Sequence, residues 1–124
     1  MGFLSPYSAP ILGLVRIVTG LLFLEHGTTK YFNFPTGDMH PPITSLVGAA
    51  GIIELVAGAL ITIGLFSRCA AFVASGTMAV AYFVAHFPRS IFPVQNGGDA
   101  AILFCFIFLY LAAAGPGKFA VNGK

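Results

Sequence analysis

The stretch Ile11 to Phe32, ILGLVRIVTGLLFLEHGTTKYF, decides how the rest of the chain folds. At about 1.5 Å of rise per helical residue, it is long enough to cross a hydrocarbon core about 30 Å thick. Four ionisable residues interrupt it, namely Arg16, Glu25, His26 and Lys30. A charged side chain at the bilayer centre costs roughly 2.5–3.5 kcal/mol on insertion scales, so these groups must face protein, water or headgroups. The stretch therefore predicts a membrane helix that packs against partner helices.

One face of this predicted helix should point into the protein. At 100° per residue, His26 flanks a face on which four residues fall within about 40° of Arg16: Gly20, Phe23, Gly27 and Lys30. Gly13, Gly20 and Gly27 recur every seven residues, a spacing that lets a neighbouring backbone approach closely. Glu25 lies on the opposite side, about 180° from Arg16. Three placements remain open for it: snorkelling to the helix end, protonation, or contact with a second subunit in a homo-oligomer.

The composition indicates an integral membrane protein. Of the 124 residues, 57% are hydrophobic and 8% are charged, whereas a soluble domain has roughly 25% charged residues. A net charge of +2 on scattered sites gives no basic patch, which excludes nucleic acid as a partner. No Lys or Arg precedes Arg16, so the first apolar segment lacks the basic start of a signal peptide and should be retained. Cys69 and Cys105 have neither C-x-x-C nor metal-ligand spacing, so we expect small packed side chains and no metal site.

The remaining apolar stretches predict an all-α, four-transmembrane-helix bundle with up-down-up-down topology, as a single domain over residues 1–124. The predicted helices cover residues 11–32, 46–66, 69–87 and 100–114. Pro6 and Pro10 should keep the chain out of helix before the first span. Residues 33–44 and 88–98 should form loops, and Ser67 with Arg68 a very tight turn. In this topology three Lys/Arg residues lie on the side of the two termini and two lie on the other side. This small excess predicts a protein of the cell inner membrane with both termini on the cytoplasmic side.

The later helices also have candidate inward faces. In the second, Glu54 shares a small-residue face with Gly51, Gly58 and Ile61. The most polar stripe of the third comprises Phe72, Ser75, Ala79, Tyr82 and His86. The candidate face of the fourth comprises Asp99, Phe106, Tyr110 and Ala113, with Asp99 in the first turn, where the helix dipole favours a negative charge.

Four titratable groups should meet at one end of this bundle. In the predicted topology His26 lies roughly 9 Å and Glu54 roughly 12 Å below the membrane edge that His86 and Asp99 border. Arg16 lies nearer the opposite side, as a structural intramembrane charge. Ionisable groups inside a membrane bundle are functional candidates by default. The ligand-binding candidates are His26, Lys30, Glu54, Tyr82, His86 and Asp99, with Phe23 and Phe106 within reach.

An apolar cleft with these polar anchors suits a small planar ligand such as a quinone head. His, Lys or Tyr would donate hydrogen bonds to its carbonyls, and Glu54 or Asp99 would move protons. A purely architectural alternative stays open, in which Glu54 pairs with Lys30 or Arg16 while His86 and Asp99 cap loops. A bis-His haem between His26 and His86 is a further alternative. No catalytic residue is assigned.

Several motifs resemble the DoxX family of small four-helix membrane proteins. They are Arg16, Gly20 and His26-Gly27-Thr28-Thr29-Lys30 in the first helix, Glu54, Gly58 and Leu60 to Leu65 in the second, Arg68, Ala70 and Ala71 at the third, then His86, Asn96 to Ala100, and Gly115-Pro116-Gly117. The chain departs from the family at Asn122, near where relatives often carry an acid, and at Asp99, where Glu is common. Family members are similar to the membrane subunit of thiosulfate:quinone oxidoreductase and to components once assigned to terminal quinol oxidases. The resemblance implies a redox-linked membrane protein in contact with quinones or a partner oxidoreductase.

Three functional hypotheses follow. The first is a subunit of a quinone-linked oxidoreductase, in which the polar residues bind a quinone and a partner supplies electrons. The second is a non-catalytic membrane anchor or assembly factor whose polar residues hold the bundle together. The third is a solute or proton pathway, which is disfavoured because Arg16 alone lies in the other half of the bundle.

Overall fold

A computed structural model of the protein describes residues 2–37 and 40–124, and these residues form helices and connecting segments without strands. The helices are α1 (Ser8–Phe32), α2 (Leu46–Ile63), α3 (Ser67–Ala81), α4 (Pro93–Asn96) and α5 (Asp99–Ala114). A 3₁₀ turn, Gly2–Tyr7, precedes α1, while a π-helical turn, Tyr82–His86, and a 3₁₀ turn, Phe87–Arg89, continue α3. The predicted all-α class is confirmed. Asp38 and Met39, in the predicted first loop, lie outside the described residues.

Within residues 2–37 and 40–124, three helical segments are long and apolar enough to cross a membrane: Gly2–Phe32, Leu46–Ile63 and Ser67–Arg89. The shorter helix α5 is also apolar and has 16 residues. The chain is therefore a multi-pass membrane protein, surrounded by the lipid bilayer.

Helix boundaries differ from the predictions in α1, α2 and α3, and the predicted loop over residues 88–98 contains α4. Helix α1 begins at Ser8 and includes Pro10 in its first turn, where proline is tolerated because the missing N–H would have no helical partner. Helix α2 ends at Ile63 because Gly64 adopts the left-handed conformation, φ 75°, and the Leu65 N–H donates to the Leu60 carbonyl. The tight turn therefore lies at residues 64–66, and the prediction of a turn at Ser67 and Arg68 is wrong.

Helices α1 and α2 run antiparallel and pack at glycines. A Cβ added at Gly27 would lie 2.8 Å from Leu55 Cγ and 2.9 Å from the Gly51 carbonyl oxygen. A Cβ at Gly58 would lie 2.9 Å from the Leu24 backbone. Such close approach gains van der Waals contact, the main force between helices in lipid. The predicted inward face of α1 is confirmed for Arg16, Gly20, Phe23 and Gly27, which are all buried.

Phenylalanine rings connect α1 to α5. The ring of Phe23 is fully buried and lies 5.8 Å from that of Phe104 and 4.9 Å from that of Phe108. These are ordinary separations for favourable aromatic pairs. The buried face of α5 comprises Ala101, Phe104, Phe108 and Leu111.

The predicted inward face of α5 is wrong. Phe106 and Tyr110 are 64% and 63% exposed, and Asp99 and Ala113 are also exposed. Helix α5 is apolar all round, so periodicity gives no signal, and Asp99 at the helix start marks the water boundary rather than the core. In α3, Ser75 is buried but Phe72 is 65% exposed.

The cysteines differ from each other in burial. Cys69 is exposed, so it does not fit the expectation of a packed side chain, whereas Cys105 is half-buried. The Ser75 hydroxyl donates to the Cys105 carbonyl at 2.8 Å, which joins α3 to α5.

The segment Gly115–Lys124, called the C-terminal strap below, crosses the end of the bundle at which α2 ends and α3 begins. The buried Arg16 guanidinium donates to the carbonyls of Pro116 at 2.6 Å, Lys118 at 2.9 Å and Phe119 at 2.8 Å. The strap also donates two backbone N–H groups to the last carbonyls of α2, at Ile63 and Gly64. The strap carbonyls thus accept hydrogen bonds from both terminal nitrogens of this buried cation, whereas its Nε has no hydrogen-bond partner among the described residues.

Candidate functional site

A cavity of about 890 Å³ lies at the end of the bundle opposite the C-terminal strap. Ligand pockets in proteins span about 300–1,000 Å³ and are lined mostly by apolar side chains. Helices α1, α2, α3 and α5 all contribute to the walls, which are predominantly aliphatic. The polar or charged lining residues are Glu25, His26, Thr29, Lys30, Glu54, Thr77, His86 and Arg89.

An ion pair between α1 and α2 forms one wall of this cavity. Lys30 Nζ lies 2.6 Å from Glu54 Oε1, and the two side chains are 16% and 4% exposed. The helices approach closely enough for this contact because Gly27 and Gly51 carry no side chains at their crossing. Of the two architectural pairings left open for Glu54, the structure forms the one with Lys30.

His26 lies on the same wall and is exposed to the cavity. Its imidazole meets the Phe104 ring edge-on, with centroids 5.9 Å apart. This contact supports one side of the ring, and its nitrogens make no hydrogen bond to the described residues.

His86 enters the cavity from the π-helical turn. Its Nδ1 lies 3.1 Å from the Asn96 carbonyl oxygen, so Nδ1–H donates and Nε2 is left as the free nitrogen. Within the π-helical turn the Phe87 N–H donates to the Tyr82 carbonyl. Single π-helical turns occur frequently at functional sites.

Asn96 holds this region together from a fully buried position, 1% exposed. Its amide donates to the Tyr82 hydroxyl at 3.0 Å and to the Ser90 carbonyl at 2.9 Å, and its Oδ1 accepts the Gly98 N–H at 2.8 Å. Tyr82 stacks on His86 with ring centroids 6.2 Å apart. Tyr82 therefore positions His86 and the start of α5, and it does not line the cavity.

Of the six candidates from the sequence, the structure brings four to one cavity: His26, Lys30, Glu54 and His86. Tyr82 lies behind His86, and Asp99 is exposed at the start of α5, outside the cavity lining. Arg16 lies at the opposite end, under the strap. Among the described residues, no group of three His, Cys, Asp or Glu side chains is placed to hold a metal ion.

Four polar lining residues were not predicted from the sequence: Glu25, Thr29, Thr77 and Arg89. Glu25 lies opposite Arg16 on the helical wheel, so it falls outside the predicted inward face of α1. That angle is a poor guide here because α1 has two neighbours, α2 and α5, and the cavity extends along the flank between them. The signal for Arg89 was its place directly after His86 in the same helical segment.

Comparison with known proteins places the chain in a family. The DoxX family model matches residues 11–87, more than half of the 124 residues. The protein belongs to the DoxX family. An uncharacterized protein of Haemophilus influenzae is similar to it, with 38% identity over 130 residues that cover 100% of this chain and 97% of the relative. No solved structure matches the chain.

The match to the DoxX family covers α1, α2, α3 and the π-helical turn. It thus includes all four candidate residues that line the cavity, whereas Asp99 and the strap lie beyond it.

Proposed function

We propose that this DoxX protein is a membrane subunit that binds a quinone or a similar small ligand in the cavity and works with a partner oxidoreductase. The observation that supports this function is the cavity itself, of about 890 Å³, with aliphatic walls and four convergent polar side chains. A bound quinone would supply a membrane-soluble carrier of electrons and protons. The partner would supply the electrons.

The polar residues have complementary roles in this proposal. A lysine ammonium has three donors, and Lys30 uses one of them on Glu54, so two remain for the ligand's carbonyl oxygen. His26 can donate or accept at the same head group, whereas the free Nε2 of His86 accepts while the ring is neutral and donates only when the ring is protonated. Glu54 Oε2 makes no hydrogen bond to the described residues, so it can accept and release a proton beside the ligand.

The test is quinone binding by purified protein carrying Glu54→Gln. The amide keeps the shape of the side chain but holds no negative charge, so Lys30 loses its ionic partner and the site loses its proton acceptor. We expect quinone binding to weaken by about tenfold, equivalent to about 1.4 kcal/mol. Asp99→Asn makes the same chemical change outside the cavity and should leave binding unchanged. Equal quinone affinity in Glu54→Gln and the unmodified protein would refute the proposed site.

A second candidate function is a non-catalytic anchor or assembly factor. The observation in its favour is that several polar side chains have structural partners: Lys30 with Glu54, His86 with Asn96, and Arg16 with the strap. In that case Glu54→Gln would unfold the bundle, and partner proteins would be recovered from membranes without any bound ligand. A folded Glu54→Gln protein that has lost its quinone separates the two functions.

We also propose a topology of four crossings with both termini on the cytoplasmic side of the inner membrane. At about 1.5 Å per residue the 16 residues of α5 span roughly 24 Å, slightly less than a core of about 30 Å. The strap end has three exposed basic residues, Arg68, Lys118 and Lys124, against Lys30 and Arg89 at the cavity end, which supports a cytoplasmic strap.

A further inference from the structure

We propose that the ligand of this cavity carries a long apolar tail, which lies between α2 and α3 and reaches the cavity sideways from the bilayer. This inference rests on the proposed function and names its substrate class: a lipid-soluble, tailed quinone, with the head beside α1 and the tail in the gap between α2 and α3.

The two helices meet near their connecting turn and separate beyond it. In the half of α2 near the turn, Ala57 and Ile61 are buried in one core with alanines of α3. In the other half, the buried residues Gly51 and Glu54 contact α1 through Tyr31 and Lys30. Met78 is the last fully buried residue of α3; beyond it Ala81 and Tyr82 still pack against the core, whereas Val80 and Val84 are exposed.

Gly76 shows that the gap has room for a ligand. A Cβ built on Gly76 would meet no atom within 4 Å, whereas one built on Gly27, at the α1–α2 contact, would meet Leu55 at 2.8 Å. Both glycines lie within long helices, but Gly76 lines the cavity and has no packing reason to be small. The space beside it therefore belongs to the cavity.

The cavity has a polar part, suited to the head of a tailed ligand, and an apolar part, suited to its tail. The polar groups come from α1, from Glu54 and from the segment His86–Arg89. The gap between α2 and α3 is bordered by Val47, Val80 and Val84, which are 39%, 52% and 55% exposed. In a bilayer, these valines face acyl chains, so an apolar tail passes between them without uncovering a polar group.

The test compares decylubiquinone with its tail-free ring, dimethoxymethylbenzoquinone, on the full-length protein in lipid nanodiscs. Gly76→Leu fills the gap without touching the head group, and leucine favours helix more than glycine does. Val80→Phe narrows the gap from the α3 side as a second variant. Ala59→Leu makes a comparable enlargement at an exposed α2 position outside the cavity lining and serves as the control.

We expect the unmodified protein and Ala59→Leu to bind both compounds. Gly76→Leu and Val80→Phe should bind the tailed compound at least about tenfold more weakly, the loss expected for about two buried methylene groups. Their affinity for the tail-free ring should stay within about twofold, a difference much smaller than the tenfold that corresponds to 1.4 kcal/mol.

Other results would refute either the position of the tail or the proposed function. If the two variants bind both compounds normally, or lose both equally, the tail does not lie between α2 and α3, and the proposed quinone site stands. If the unmodified protein binds neither compound, the proposed function fails and this inference fails with it.

Discussion

Replacing Glu54 by leucine, Lys30 by methionine, and both together measures how strongly this ion pair contributes to folding. Breaking a buried pair costs about 3–5 kcal/mol because one charge is left without a partner, whereas replacing both members by apolar groups is often neutral. The cost here should be lower, since Lys30 keeps 16% of its side chain exposed and borders the cavity.

We expect the free energy of unfolding to fall by about 2 kcal/mol in Glu54→Leu, which leaves the better exposed lysine alone. Lys30→Met should cost more, about 3 kcal/mol, because the remaining carboxylate is only 4% exposed. The double variant should lie within about 1 kcal/mol of the unmodified protein, so the coupling between the two residues is about 4 kcal/mol.

The assay is reversible unfolding in mixed micelles by titration with sodium dodecyl sulfate, followed by far-ultraviolet circular dichroism. Glu25→Gln, an acidic residue exposed on the same helix, is the control and should change stability by less than about 0.5 kcal/mol. A double variant destabilised by the sum of the two single values would show that the residues are not coupled. That result would refute the assignment of the pair as one structural unit.

Three further predictions concern the rest of the bundle. Arg16→Met should lower the free energy of unfolding by about 2–4 kcal/mol, since three strap carbonyls lose a charged donor. Protease should then cleave the strap faster than in the unmodified protein, and an uncut strap would contradict this prediction. Gly27→Ala should cost about 1–3 kcal/mol by overpacking against α2, while Gly76→Ala should not destabilise the protein, and equal costs in the same micelle titration would contradict the packing. The Cys105→Ala variant keeps one cysteine, the exposed Cys69. A membrane-impermeant maleimide should label it in inverted inner-membrane vesicles and not in intact spheroplasts. The reverse labelling pattern would place the strap on the outer side of the membrane.

Much of the fold follows from apolar length and glycine spacing. The four predicted helices correspond to α1, α2, α3 and α5, although their bounds differ, because a long run of apolar residues has few other ways to satisfy its backbone in lipid. The inward face of α1 was also predictable, since a charged Arg16 cannot face acyl chains and the three glycines favour close helix packing. The end of α2 was predictable in principle from Gly64, which is the residue type that most readily adopts the left-handed conformation.

The structural features that could not be predicted from the sequence depend on tertiary contacts. Nothing in the pattern of α5 separates its buried Phe104 and Phe108 from the exposed Phe106, because every position of the helix is compatible with lipid. The π-helical turn depends on Asn96, which ties Tyr82 to the start of α5 across a loop. The contact of Arg16 with the strap joins residues a hundred positions apart, and periodicity carries no information about it.

The convergence of the polar residues was predictable because depth in a membrane follows from residue count. His26, Glu54 and His86 do line one cavity, together with Lys30. Asp99 has the expected depth but lies on the exposed side of its helix. Depth was thus a better guide than the direction in which each side chain points.

Photoaffinity labelling with an azidoquinone, followed by peptide mass spectrometry, tests the central claim most directly. The proposed site predicts that label is attached to residues 25–30 of α1 and 76–86 of α3 and its π-helical turn, and that unlabelled quinone competes for it. Label on the lipid-facing residues Phe106 and Tyr110 instead, or label that competitor does not reduce, would contradict binding in the cavity.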